Sequence, residues 1–118
     1  MRQIGVSIPD GLHAGDASLE AQQITVTGPA ELKRGDVVAF SDNETIVLAE
    51  STRTDGGQHA VGIMCHDVRA DEGEAITTTM YVKGAFNQRR LRFGGADTIE
   101  KHLRRMTEIG LIVRESRV

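Results

Sequence analysis

Asp97-Thr98-Ile99-Glu100-Lys101-His102-Leu103-Arg104-Arg105-Met106-Thr107-Glu108-Ile109-Gly110 is the stretch in which apolar spacing, start signal and stop signal all specify an α-helix. Asp97 at the N-cap with Glu100 three residues on forms a capping-box-like pair, in which side chains satisfy the first unpaired backbone N–H groups. Ile99, Leu103, Met106 and Ile109 recur at helical spacing and form a stripe wide enough to cover a small sheet. Glu100–Arg104 and Arg104–Glu108 are favourable i, i+4 pairs on the opposite side. Gly110 sits where a helix ends in a left-handed residue. A single helix with strands on either side makes the fold class α+β, mainly β.

Working outward, Leu111-Ile112-Val113 reads as a closing strand before the charged tail from Arg114. Upstream, Gly94-Gly95 is a turn, and Gln88 to Phe93 leads into it. Ala75 to Val82 is β-branched and aromatic, hence strand, and Lys83 to Asn87 continues or bends it. His66 to Glu74 reads as a polar, acid-rich loop, and Ala60 to Met64 as a short buried strand. Val37-Val38-Ala39-Phe40, the turn Ser41 to Glu44 and Thr45-Ile46-Val47-Leu48-Ala49 make a β-hairpin. Residues 1–30 differ in texture and read as an N-terminal arm, with residues 31–118 as the folded domain. In the arm, Arg2 to Pro9 alternates apolar and polar side chains, placing Ile4, Val6 and Ile8 on one face. Gln23 to Thr27 repeats the alternation with Ile24 and Val26. A leader this polar has little to bury alone, which suits a segment that orders by adding a strand to a partner's sheet edge.

The chain has 118 residues, 13 of them glycine. Without tryptophan and with only Phe40, Tyr81, Phe86 and Phe93 as aromatics, its core must come from Val, Ile, Leu and Met. A core of that size is thin, and association between copies would be a natural further source of stability. Residues 1–82 hold 5 basic and 13 acidic side chains, a balance of −8, whereas residues 83–118 hold 9 basic and 4 acidic, a balance of +5. That split fits packing between copies or one anionic partner surface. Cys65 is the only cysteine, so an internal disulfide and a cysteine-based zinc site are excluded. No apolar run reaches the roughly 18 residues of a membrane span, and the first residues lack the apolar core of a signal peptide. The expectation is a chain made in a cytoplasm, with no membrane partner.

No set of residues specifies catalysis, and the expectation is a non-enzyme without cofactor or metal. Cys65-His66-Asp67 has the residue types of a thiol relay, but neighbours in an extended segment point to alternate faces. His13, His59, His66 and His102 fall on different elements with no HxH or HExxH spacing. Gly94-Gly95 precedes a helix without any phosphate-loop motif, and the charge of Asp97 stands where a phosphate would sit. Asp71, Glu72 and Glu74 lie in a loop that reads as solvated. The basic set Arg89, Arg90, Arg92, Lys101, Arg104, Arg105, Arg114 and Arg117 is the best case for nucleic acid or another polyanion, and such a module is the alternative function. Single-strand binding, however, needs exposed aromatics for stacking, which are scarce here. Nor does a second helix accompany the first as in a helix-turn-helix.

From Leu32 onward the order of elements resembles the lambdoid phage head decoration protein family. The likeness rests on Lys33-Arg34-Gly35-Asp36-Val37-Val38, Ile46 to Ala49, Thr54-Asp55-Gly56-Gly57 and Ala60-Val61-Gly62-Ile63. It continues through Ile76 to Phe86, the helix from Asp97 to Ile109 and Gly110 to Val113, covering roughly residues 31–116. The resemblance implies a β-rich virion protein that forms homotrimers and binds the outer surface of an expanded capsid at three-fold sites. It implies the major capsid protein as partner and an arm that orders against the shell. On that basis Ile4, Val6, Ile8, Ile24 and Val26 are the expected capsid-binding residues. Arg89, Arg90, Arg92, Arg104 and Arg105 are expected at a trimer or capsid contact. The arginine-rich run Gln88 to Arg92 departs from the more apolar character that the family leads one to expect there.

Overall fold

Strands dominate the structure, a computed structural model that describes residue 12, residues 19–42 and residues 45–114. In chain order they are β1 (Glu20–Thr27), β2 (Ala30–Leu32), β3 (Val37–Phe40), β4 (Ile46–Leu48), β5 (Gly62–Met64), β6 (Val68–Ala70), β7 (Ala75–Asn87) and β8 (Leu111–Arg114). One α-helix, α1 (Leu103–Glu108), precedes β8. The main sheet runs β1-β7-β5-β3-β4 with antiparallel neighbours, and β8 joins the second half of β7 in parallel. β2 and β6 form a separate antiparallel ribbon. The fold is α+β and mainly β, as expected.

Burial on both faces of the main sheet explains its apolar runs. β3 and β5 are buried almost throughout, and strands covered on both sides read as continuous rather than alternating. Because side chains alternate, consecutive residues part company. Val37 and Ala39 enter one apolar cluster with Ile63, Phe86, Met106 and Leu111. Val38 enters the other with Met64, Met80, Ile24 and Val26. The first cluster lies under α1 and β8; the second lies under the ribbon, which contributes Leu32, Val68 and Ala70.

Three expectations need correction. The helix is not continuous from Asp97: a 3-10 turn at Ile99–Lys101 precedes α1, with His102 between them at φ −124° and ψ −7°. The cause is side-chain competition. His102 turns inward and is 1% exposed, its ring stacked on Phe93 at 4.8 Å, while Leu103 stays 43% exposed. Met106 is the fully buried member of the predicted stripe, with Ile99 and Ile109 partly buried beside it. Gly110 does end the helix, at φ +96°, a conformation that costs glycine little.

The span His66 to Glu74 is likewise not all loop, because Val68 and Ala70 are buried on β6 while Arg69 points out. Two apolar side chains were too few to announce a strand there. Finally, residues 20–27 belong to the folded body. β1 pairs along its whole length with β7, Ile24 against Thr78 and Val26 against Ile76, and both side chains are buried. The alternation was read correctly, but the apolar face meets the chain's own core. Leu12 is also anchored: it is 1% exposed, and its carbonyl accepts the Asn87 N–H at 2.7 Å.

Candidate functional site

The end of β7 builds a strongly basic turn. Asn87 is buried, and its side-chain oxygen accepts the Arg89 N–H at 3.1 Å, capping the 3-10 turn Gln88–Arg90. An asparagine there satisfies a backbone donor while its own N–H bonds Leu12. Arg89 and Arg90 are exposed on this turn. Arg114 stands opposite Asn87 in the β7–β8 register and is exposed as well. Beside the turn lies an open groove of about 750 Å³, lined by Arg89, Leu91, Phe93, Leu48, Ile99 and Asp97 among others.

Arg92 has a different role. Its guanidinium binds Asp36 through both carboxylate oxygens, at 2.6 and 3.0 Å, and Asp36 is wholly buried. The hydrogen bonds and charge of Asp36 raise the Arg92 pKa still further. Backbone bonds from Arg92 N–H to the Gly35 carbonyl and from Val37 N–H to the Arg92 carbonyl complete the attachment. Asp36 also accepts the Lys33 N–H at 2.8 Å. Two-point geometry of this kind fixes orientation as well as charge, so Arg92 fastens the basic turn to the start of β3.

A second fastening is made by Asp97, another residue that lines the groove. Asp97 accepts the Ser51 N–H and the Ser51 hydroxyl, and its other bond is with His102 Nε2 at 2.7 Å. Burial pushes the Asp97 carboxyl up, but donation from Ser51 and His102 outweighs it and holds the group below the usual carboxylate range. Asp97 therefore joins the segment before α1 to the turn after β4, instead of capping a helix. His102 Nδ1 is buried with no partner. Burial raises the Cys65 thiol pKa, which keeps it in the less nucleophilic protonated form.

The expected site residues are dispersed. Ile4, Val6 and Ile8 lie outside the described residues. Ile24 and Val26 face the core, beneath β1. Arg89 and Arg90 are together at the end of β7; Arg104 is on the outer face of α1, its side chain 93% exposed and 3.7 Å from Glu108. Arg105 is partly buried and donates to the Ala60 carbonyl at 3.0 Å. Arg92 and Arg105 thus hold the body together. Sequence reasoning missed Asp36, Ser51 and Leu12. Asp36 carries a weak local signal, an acidic residue closing Lys33-Arg34-Gly35 at a strand start, but its partner is 56 positions away.

With this geometry in view, the comparison with known families is decisive. The family model for the bacteriophage lambda head decoration protein D matches residues 8–110, most of the chain. This chain belongs to that family. The family is structural and locates the chain on a phage head, in association with the capsid. No curated protein matches the chain.

Proposed function

We propose that this head decoration protein acts as a trimeric cement. It sits on the outer surface of the expanded shell at three-fold positions and is attached by residues 1–11 through strand addition to the major capsid protein. The observation that carries the reading is the family match over residues 8–110. The alternating run with Ile4, Val6 and Ile8 precedes Leu12, the first described residue, which is buried. Because Leu12 and β1 belong to the body, the arm is shorter than the sequence alone suggested. Eleven residues reach at most about 40 Å, close to the 36 Å long axis of the molecule. The arm's partner is therefore a capsid subunit directly beneath or beside the protomer.

Magnitudes favour several arms acting together. Burying three side chains of the size of Ile4, Val6 and Ile8 contributes about 5–9 kcal/mol at most. Ordering about six residues costs about 1–2 kcal/mol each in backbone entropy. One arm is close to neutral, while three arms on one trimer bind at high effective concentration and hold firmly. Deletion of residues 2–9 should leave a folded, trimeric protein that no longer co-sediments with empty expanded shells. Co-sedimentation equal to that of the full chain would disprove the arm's role.

A further inference from the structure

The long strand β7 separates two turns of opposite charge. Its 13 residues rise about 3.3 Å each, which sets its two ends far apart in a molecule whose long axis is 36 Å. Before its first residue stands the turn Asp71-Glu72-Gly73-Glu74, exposed at every position. A Cβ added at Gly73 would meet nothing within 4 Å, so the tip projects clear of the body. The Asp71 carboxylate lies 3.9 Å from Arg69, with both side chains more than three-quarters exposed, and the Glu74 carboxylate accepts the Asp71 N–H at 2.7 Å. After the last residue of β7 stands the capped turn with Arg89 and Arg90, and Arg114 lies beside it on β8.

We propose that these two turns meet between copies: the acidic turn at Asp71–Glu74 of one protomer docks against the basic turn at Gln88–Arg90 of the next. The inference rests on the trimeric reading above and supplies its contact. Charges at opposite ends of one strand cannot complement each other within a protomer, nor in a pairing that sets like end on like end. A head-to-tail arrangement matches them at every contact, and three such contacts form a closed ring when the rotation from copy to copy is one third of a turn. The groove beside the basic turn, which Arg89 helps to line, offers room for the projecting tip. The Asp97 and Glu100 carboxylates that also line it already accept from Ser51, His102 and Thr98. The occupant is thus a second copy of this chain, and both elements lie in the body rather than in the arm.

Sedimentation equilibrium of the full-length chain tests this in low salt. Arg89→Glu with Arg90→Glu should weaken self-association at least tenfold, and Asp71→Lys with Glu72→Lys should do the same. All four changes in one chain exchange the two charges and should restore association to within about threefold of the wild type. Far-ultraviolet circular dichroism and melting confirm folding; the neutral pair Arg89→Gln and Arg90→Gln replaces the reversal if it folds poorly, with a smaller loss expected. A wild-type trimer unmoved by either single-end change overturns this contact alone. A wild type that is monomeric in solution and scattered singly on shells overturns the trimer, and the contact with it.

Discussion

Arg90 and Arg92 stand two positions apart in the same basic run, yet one faces solvent and the other holds a buried carboxylate. Replacing Arg92 with alanine leaves Asp36 enclosed without its cation, and loss of one partner from a buried pair is strongly destabilising. Because the Arg92 side chain is itself 53% exposed, the cost should fall near the lower end, about 2–4 kcal/mol. Arg90→Ala should change stability by less than about 0.5 kcal/mol. Urea denaturation of the two variants checks the contrast; equal midpoints would show that the Asp36 bond contributes nothing. Asp97 supplies a pH-dependent counterpart. Its pKa is lower in the folded chain than in the unfolded one, so its stabilisation is fully present above the ordinary carboxylate value of about 3.9 and fades as pH falls through the folded value. Asp97→Asn should therefore cost about 1–3 kcal/mol near pH 7, and the gap from the wild type should close below about pH 4. Urea midpoints from pH 7 to pH 2.5 would reveal a constant gap if Asp97 served only by shape.

Among the elements, strands were more legible than the helix. The hairpin of β3 and β4, the buried β5 and the long β7 follow from composition and turn residues, because their side chains pack where the local pattern points them. The helix follows its pattern only in part. Its stop at Gly110 is local and was readable, whereas its start depends on Ser51, 46 positions from Asp97, and on the ring of Phe93 under His102. No spacing rule contains such partners. The structure now separates two residues that the helical stripe treated alike. Met106→Ala should cost about 2–5 kcal/mol through the cavity it leaves, while Leu103→Ala, at a position 43% exposed, should cost under about 1 kcal/mol. Thermal melts in which Leu103→Ala proves the more damaging would contradict this placement of α1. The basic residues show the same limit: sequence identified the cluster, but only the fold assigns Arg92 and Arg105 to internal bonds and leaves Arg89, Arg90 and Arg104 on the surface.

For the whole molecule, the decisive question is where the body ends and the arm begins. Texture placed that boundary at residue 30, because polar residues before and within β1 hide how much it contributes. Its backbone forms one edge of the main sheet, and Ile24 and Val26 join Met64 and Met80 in the cluster under the ribbon. Removing two buried aliphatic side chains alone costs roughly 2–5 kcal/mol each, and the sheet would also lose a complete strand. Domains are stable by only about 5–15 kcal/mol. A chain lacking residues 2–27 should therefore fail to fold, whereas a chain lacking residues 2–9 should melt within a few degrees of the full length. Scanning calorimetry with shell co-sedimentation separates folding from the proposed attachment in this N-terminal quarter. Loss of decoration with an unchanged melt places attachment before Leu12, and a folded chain without β1 would return residues 20–27 to the arm.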